Sequence, residues 1–395
     1  MKRMFDALAR VATYTRDAWT AVGIALLLLI GLEGAYRAQR ALKDRLATPP
    51  RATLPAHPNA GETWWTDWYL SPIFRQYHRY DPYRGWGKRL FSSPWINVDE
   101  HGRRVTPQSP LAIRRRVLLL GGSTMWGYST RDSATIPALV ARGLAARGIS
   151  DVEIVNLAQP AYNSTQGLVS TMLELRAGRR VDFAVFLDGH NDIAAAVQAR
   201  RAGAVLNEPR YAELLERGFP TARRAAADLA SQLRFIPGLG RAVGLGQATD
   251  SAPVNAASLC ADVASIYAGV IRTTEALAAG GDFGVAFLWQ PMLATSGKPR
   301  SEWERSLPDP VHLEVLRLCT VEVERTLAAA TAVRFGSLTR IFDADSTSVF
   351  LDHSGHVTER ANGVIADRIL EVLLPALAVD GRMTGGKPRS AGQSP

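Results

Sequence analysis

The sequence predicts an α/β fold, in which a mostly parallel five-stranded sheet forms the middle layer of a three-layer α/β/α domain. One pattern in the sequence supports this prediction. From Arg116 onward, short apolar runs rich in β-branched residues, each followed by a turn signal, alternate with longer helical stretches. Strands separated by helices favour a parallel sheet covered on both faces. A second observation, a long apolar run near the N-terminus, adds a predicted membrane helix.

Composition limits the function classes. The chain has 395 residues, a formal charge of +9, 47% hydrophobic residues and two cysteines, which excludes a disordered chain, a collagen-like repeat and a disulfide-built miniprotein. A basic protein can bind nucleic acid or an anionic membrane. However, residues 1–116 hold 19 basic and nine acidic side chains, whereas residues 117–379 hold 24 and 27. We therefore expect no nucleic-acid partner and assign the positive charge to membrane targeting.

The N-terminus predicts a single membrane-spanning helix. Residues 1–17 form a basic segment, and residues 18–36 contain an apolar run in which only Thr20 is polar before Leu32. Signal-peptide cleavage needs an A-x-A-like triplet soon after the apolar run, and none occurs before Ala60. We therefore favour an uncleaved signal anchor over a removed signal peptide. Four Lys/Arg precede the run and five follow it by Arg51, so the positive-inside rule does not decide the orientation.

Two segments lie between the anchor and the main domain. Residues 37–60 are proline-containing and are typical of a linker. Residues 61–115 are aromatic-rich, with eleven aromatic side chains before Glu100 and arginines among them. A packed cap on the main domain is the favoured interpretation, and a carbohydrate or membrane-proximal contact is the alternative.

The main domain is predicted over residues 116–379, followed by a disordered tail over residues 380–395. Its candidate strands are 117–120, 152–157, 183–187, 284–288 and one near 333–342. Residues 193–255 interrupt the alternation of strands and helices and are interpreted as an insertion. Cys260 and Cys319 fall in two predicted helices with a spacing that fits no zinc or redox motif, and we favour buried thiols over a disulfide.

Four sequence blocks follow predicted strands, and ligand sites of parallel sheets lie at the carboxyl ends of the strands. The first is Gly-Gly-Ser-Thr, in which two glycines permit a tight turn before Ser123. The second, after the second strand, runs from Asn156 to Ser164. The third is Asp-Gly-His-Asn-Asp and contains Asn191. The fourth is Asp-His-Ser-Gly-His-Val-Thr, immediately before a final amphipathic helix.

Together these blocks resemble the SGNH hydrolases, the GDSL-type esterase and lipase superfamily, here as a membrane-anchored bacterial member. The resemblance implies a flavodoxin-like fold for residues 116–379 and a Ser-His-Asp triad. Ser123 matches the family's nucleophile, His356 its base and Asp352 its acid. The family's Asp before Ser is Gly122 here, and its D-x-x-H spacing is one residue longer. Asp343 and Asp345 are therefore retained as alternative acids.

The resemblance also implies an oxyanion hole made by the backbone N–H groups of Ser123 and Ala161 and by the Asn191 amide. Ala161 stands where the family has Gly, or Ala158 does on a shifted alignment. Either backbone N–H can serve, provided that the position does not need positive φ. His190, Trp289 and Gln290 lie near predicted strand ends, where a pocket-lining role and a structural role are both open.

The implied function is a serine esterase that cleaves carboxylic esters of a lipid or a cell-surface glycan. The alternatives are an O-acyltransferase that modifies a surface polysaccharide and a catalytically inactive SGNH scaffold. The sequence carries no metal-ligand cluster or phosphate-binding glycine loop, so no cofactor is expected. The expected location is the bacterial inner membrane, with one spanning helix and a periplasmic catalytic domain.

Overall fold

A computed structural model describes residues 2–46, 57–70, 73, 78–108, 110, 112–216, 255–308, 312–329 and 334–383. The chain divides into two compact units, Met1–Thr53 with Glu213–Ala252, and Leu54–Ala212 with Pro253–Pro395. Most of the predicted insertion, most of the predicted tail and part of the predicted linker lie outside the described residues.

The first unit contains one long helix, α1 (Lys2–Leu46). Its stretch Ala12–Gln39 is long and apolar enough to cross a membrane by length and composition. Leu27, Leu28 and Ile30 are 70%, 64% and 66% exposed, which suits side chains that face lipid. The helix continues beyond the predicted anchor, so residues 37–46 of the predicted linker are helical.

The second unit is built on a five-stranded sheet, and the predicted fold class is confirmed. Its strands are β5 (Arg115–Gly121), β6 (Val152–Asn156), β7 (Phe183–Asp188), β8 (Gly284–Trp289) and β9 (Phe335–Ser337). Their order is β6-β5-β7-β8-β9 and every pair is parallel. Chain order reverses at β5, because the chain leaves β5 for β6 on one side and then crosses to β7 on the other. Such a switch point opens a crevice at the carboxyl ends of the strands.

Apolar side chains alternate along the strands because successive residues point to opposite faces. Val117 and Leu119 belong to one buried cluster, whereas Leu118 and Leu120 belong to the other. Buried residues of β7 and β8 divide in the same way. The sheet therefore has an apolar core on each face, which explains why its strands read as continuous apolar runs.

Helices cover both faces. The α-helices that follow β5 in the described residues are α3 (Ser123–Trp126), α4 (Ile136–Ala145), α5 (Ser164–Arg176), α6 (His190–Ala199), α7 (Glu208–Glu216), α8 (Ala256–Gly281), α9 (Glu302–Ser306), α10 (Leu313–Ala328) and α11 (Glu359–Met383). Helices α4 and α11 pack on one face, and α6, α8 and α10 pack on the other. Helix α5 joins the second face, where Gly167 allows it to approach Phe186.

The aromatic-rich segment precedes the five-stranded sheet in sequence and belongs to the same compact unit. It contains α2 (Thr63–Leu70) and two antiparallel pairs, β1 (His78–Asp81) with β2 (Gly85–Lys88), and β3 (Phe91–Ser92) with β4 (Asn97–Val98). Trp64 and Trp65 are buried in the α4/α11 core, and Trp86 packs edge-on against Tyr162. These are the contacts of a packed cap, although Tyr80 on the β1–β2 hairpin is 78% exposed.

Candidate active site

Ser123 lies at the carboxyl end of β5, directly after two glycines. Gly121 has a φ of 144°, and a Cβ atom there would lie 2.3 Å from the Leu187 carbonyl oxygen. A Cβ atom on Gly122 would lie 2.3 Å from Asn191 Nδ2. The turn therefore requires glycine at position 121, whereas a side chain at position 122 would displace the Asn191 amide. Ser123 is the first residue of α3, so its backbone N–H has no acceptor within that helix.

The structure brings Ser123, His356 and Asp352 into one hydrogen-bonded line. His356 Nε2 lies 2.7 Å from Ser123 Oγ, and His356 Nδ1 lies 2.5 Å from Asp352 Oδ2. A proton on Nδ1 donates to the carboxylate, and Nε2 then accepts from the serine hydroxyl. Burial by itself would raise the pKa of Asp352, but the facing His356 and its hydrogen bonds hold that pKa below its ordinary value. Asp352 therefore remains a carboxylate well into acidic pH.

The loop that carries His356 is held by backbone pairing. Leu351 N–H donates to the His356 carbonyl at 2.8 Å, and Thr358 N–H donates to the Val349 carbonyl at 2.9 Å. Asp352 Oδ1 also accepts from Ser354 N–H at 2.8 Å. These bonds place Asp352 and His356 on facing arms of one tight loop.

A buried ion pair supports this loop from behind. Glu304 Oε1 accepts the N–H groups of Val349 and Phe350, both at 3.0 Å, and its other oxygen receives Lys298 Nζ at 2.5 Å. Both charged side chains are fully buried. A buried carboxylate is tolerated where donors satisfy its oxygens, and here those donors include the backbone just before Asp352.

The longer spacing between Asp352 and His356 is taken up by Gly355. This glycine has a φ of 84°, and a Cβ atom there would lie 2.5 Å from Gln290 Nε2. Gln290 Nε2 donates to the Ser354 carbonyl at 3.0 Å. Gln290 thus supports the loop, and the extra residue does not separate Asp352 from His356.

The two alternative acids point elsewhere. Asp343 Oδ1 accepts the N–H of Gly297 at 2.9 Å, and Asp345 Oδ2 receives Arg360 Nη2 at 2.6 Å. Neither contacts His356 among the bonds that the structure describes. The geometry therefore favours Asp352 as the partner of the imidazole.

Asn191 lies beside the serine turn. Its Nδ2 donates to the Tyr162 carbonyl at 2.7 Å, and this leaves the second amide hydrogen for another acceptor. The Ala158 N–H is used locally, because it donates to Asn156 Oδ1 at 3.1 Å. Of the two alignments, Ala161 is thus the one consistent with a free donor near Asn191.

Replacing Asn191 with Ala removes one donor, and we expect kcat on an ester substrate to fall by roughly 10²- to 10³-fold with a small change in KM. The reason is that the amide would contact the oxygen that becomes negative during attack. Initial rates over a range of substrate concentrations test this. Asn191→Asp, which has the same size but places a negative charge there, should lose at least as much. A kcat within threefold of wild type in both variants would contradict the role.

Ala161 adopts a backbone conformation that favours glycine. It is the third residue of a turn closed by Tyr162 N–H to the Gln159 carbonyl at 3.1 Å, and its φ is 70°. A turn with Pro160 second and positive φ third is the pattern of a type II turn. The cap holds this turn, since Trp86 Nε1 donates to the Pro160 carbonyl at 3.0 Å. The condition set in the sequence analysis, that the position does not need positive φ, is therefore not met at Ala161, and this residue carries backbone strain that glycine would not.

The variant Ala161→Gly should raise the free energy of unfolding by about 0.5–1 kcal/mol, since glycine relieves the left-handed strain but adds freedom to the unfolded chain. Urea unfolding followed by tryptophan fluorescence measures it. Ala158→Gly is the matched control and should destabilise, because Ala158 is buried and has no positive φ. Equal effects of the two changes would disprove the strain argument.

One aromatic side chain near the site was not singled out by the sequence. Tyr128 stacks on His356 with ring centroids 4.2 Å apart. Behind Asn191, Asp192 accepts a hydrogen bond from Ser164 Oγ at 2.5 Å, and burial raises the pKa of Asp192 to about 6. Burial together with the nearby Asp192 raises the pKa of Asp188 well above its ordinary value.

Trp289 and His190, for which a pocket-lining role was left open, are both buried. Trp289 is fully buried, and its Nε1 lies 3.4 Å from Thr320 Oγ1. His190 Nδ1 is buried without a hydrogen-bond partner, and burial lowers the pKa of His190 to about 4. A neutral imidazole therefore lies near the His356–Asp352 pair. Among the described residues, no group of three or more His, Cys, Asp or Glu side chains could hold a metal ion.

The prediction of two free thiols is wrong. Cys260 on α8 and Cys319 on α10 form a disulfide, with Cα atoms 4.4 Å apart. The two helices pack side by side over one sheet face, and this brings together cysteines that are 59 residues apart in sequence. Disulfides persist in oxidising compartments and are rare in the cytosol.

Replacing both cysteines with Ala should lower the free energy of unfolding by about 2–4 kcal/mol, because the link restricts the unfolded chain. Calorimetry of the variant and of reduced wild type should give matching decreases in Tm. Alkylation followed by mass spectrometry of the unreduced wild type should find no free thiol. Alkylation of both cysteines without a reductant would disprove the pairing.

Comparisons with known proteins give structural likeness without close relatives. No protein-family model and no curated protein matches the chain. Similar solved structures include the acetyl xylan esterase AlAXEase, with 12% identity, a TM-score of 0.37 and coverage of 65% of this chain and 99% of that one. A lipolytic G-D-S-L family protein from Veillonella parvula has 15% identity, a TM-score of 0.36 and coverage of 66% and 98%.

The lipase/acylhydrolase from Enterococcus faecalis has 16% identity, a TM-score of 0.35 and coverage of 70% of this chain and 100% of that one.

Proposed function

We propose that this protein is a serine hydrolase of the SGNH class that cleaves carboxylic esters through Ser123, His356 and Asp352. The observation that carries the proposal is the continuous line from Ser123 Oγ through both ring nitrogens of His356 to Asp352. A serine hydroxyl is a weak nucleophile, and an imidazole within 2.7 Å supplies the base that it needs. The carboxylate fixes the imidazole tautomer and stabilises the imidazolium.

The reaction proceeds in two stages. Ser123 Oγ attacks the acyl carbonyl while His356 Nε2 takes the hydroxyl proton, and the oxygen that becomes negative meets the N–H groups of Ser123 and Ala161 and the Asn191 amide. His356 then gives the proton to the leaving alcohol, which departs and leaves an acyl-serine. A water molecule, activated by the same imidazole, releases the acid and restores the serine.

Two features support an extracytoplasmic site of action. The disulfide between α8 and α10 suits an oxidising compartment. Helix α1 has a stretch that is long and apolar enough to anchor the chain in a membrane. The proposal places the ester hydrolase on the outer side of the bacterial inner membrane, where its substrate would be an acylated lipid or cell-surface glycan.

Labelling tests the proposal directly. The full chain in detergent micelles should react with a fluorophosphonate probe and hydrolyse p-nitrophenyl acetate, and Ser123→Ala should lose both. A folded wild type that neither labels nor hydrolyses would support an inactive scaffold, for which the strained Ala161 is the one motivating observation. Labelling with negligible hydrolysis that a sugar acceptor restores would indicate transfer of the acyl group to a glycan.

A further inference from the structure

A second concave site lies away from Ser123, His356 and Asp352. It is a cavity of about 310 Å³ between the β1–β2 turn, the loop at Arg103 and the C-terminal half of α5. Its size is at the lower end of the range for small-ligand pockets. Five arginines line it, Arg79, Arg84, Arg103, Arg176 and Arg179, whereas its acidic side chains are Asp81 and Glu174. We call it the arginine cavity.

The acidic side chains of the arginine cavity are already paired. Asp81 Oδ2 lies 2.7 Å from Arg84 Nη2. Glu174 is buried and receives both Arg116, at 2.6 Å, and Arg179, at 2.8 Å. Arg103 pairs with Asp99 at 2.8 Å. The carboxylates near the cavity are therefore committed to Arg84, Arg103, Arg116 and Arg179.

Two arginines are held by neutral groups instead. Arg79 donates to the backbone carbonyls of Glu100, at 3.1 Å, and His101, at 2.5 Å. The guanidinium of Arg176 lies over the Tyr83 ring, 4.9 Å from its centroid. Neither contacts a carboxylate within the part of the chain that the structure describes. The positive charge of both is available to a ligand.

This arrangement selects the chemistry of the ligand. A guanidinium binds a carboxylate through two parallel hydrogen bonds and stacks on flat faces. Tyr83 is 61% exposed and offers an apolar ring beside the charge of Arg176. A concave site with a cation next to an exposed aromatic face suits a sugar that bears a carboxylate better than it suits a flat membrane surface.

Helix α5 begins beside Asp192, near the candidate active site, and its C-terminal half lines the arginine cavity. The helix begins at Ser164, which binds Asp192 next to Asn191, and Glu174 follows ten residues later. At 1.5 Å per residue this is a separation of about 15 Å. A single sugar cannot bridge that distance, whereas a polymer can contact both sites.

We propose that the arginine cavity binds carboxylate groups of an acidic polysaccharide while an acylated unit of the same chain lies at Ser123. The inference rests on the proposed function and adds its substrate class. Arg79 and Arg176 bind the carboxylates, and Tyr83 packs against a sugar ring. Binding at this site is independent of acyl transfer.

The test measures binding without turnover. The full chain carrying Ser123→Ala, in neutral detergent micelles, is titrated by calorimetry with oligogalacturonate, with neutral maltodextrin of equal length, and with glycerol phosphate as a soluble lipid headgroup. Oligogalacturonate should bind, and maltodextrin should not. Added Arg176→Glu should weaken its Kd at least about tenfold. Arg176→Lys should recover only part of the affinity, because the charge remains but the paired hydrogen bonds and the stacking of the guanidinium on Tyr83 are lost. Binding should also weaken with added salt.

A matched control removes a charge elsewhere. Arg368→Ala on α11 breaks an exposed pair with Glu371 and should leave the Kd within twofold. Equal loss in Arg368→Ala and Arg176→Glu, or affinity for glycerol phosphate alone, would overturn the proposal, and so would absence of oligogalacturonate binding to the folded chain. Because the Ser123→Ala background has no nucleophile, failure here is separate from failure of the labelling test.

Discussion

Replacing Ser123 with Ala is expected to lower kcat for ester hydrolysis by roughly 10⁴- to 10⁶-fold, the range found when serine nucleophiles are removed from triads. The hydroxyl oxygen is the atom 2.7 Å from His356 Nε2, and no other group on this line can form the acyl intermediate. Residual hydrolysis would come from bound water and the oxyanion donors. Single-turnover kinetics with p-nitrophenyl acetate and probe labelling measure the loss.

His356→Ala should lower kcat by about as much as Ser123→Ala. The double variant should have a kcat little lower than either single variant, because the proposed nucleophile and base act as one unit. Ser133→Ala changes an exposed serine outside the line and should keep kcat within twofold. If Ser123→Ala retained a tenth of the activity, another nucleophile would have to be sought.

The second large effect is expected for Asp352→Asn, with kcat lower by roughly 10³- to 10⁴-fold. An amide at this position can donate to His356 Nδ1, which would place the ring proton on Nε2, facing Ser123. The imidazole would then be present but in the wrong tautomer to accept the serine proton. The rate measured across pH, together with an unchanged Tm, separates this cause from loss of folding.

Asp343→Asn is the control for the choice of acid. Its carboxylate binds the Gly297 N–H, so the change should leave kcat within about threefold. A larger loss in Asp343→Asn than in Asp352→Asn would reverse the assignment.

The sheet and the candidate site residues Ser123, Asn191 and His356 could be predicted because the sequence patterns that indicate them are local. Each strand is a short apolar run, and Ser123, Asn191 and His356 follow strand ends or precede a helix within a few residues. Parallel strands then bring these residues to one edge whatever the details of the packing. The acid was harder to predict, because the extra residue in its loop is accommodated only by the positive φ of Gly355.

The features that sequence reasoning missed depend on distant packing. The disulfide requires that α8 and α10 lie side by side, which the spacing of Cys260 and Cys319 does not reveal. The stacking of Tyr128 on His356 likewise joins residues more than two hundred positions apart. The support of the His356 loop by Glu304 depends on a buried pair that hydropathy would disfavour.

The close approach of Gly122 to Asn191 has an evolutionary consequence. Any side chain at position 122 would meet the Asn191 amide at the serine turn, and the amide is held there by Tyr162. Such a mutation would displace a short polar side chain rather than a core element, so the molecule would remain folded while the donor moved away. Positions 122 and 191 are therefore expected to be epistatic. A side chain at position 122 is tolerated only where the side chain at position 191 adopts another rotamer.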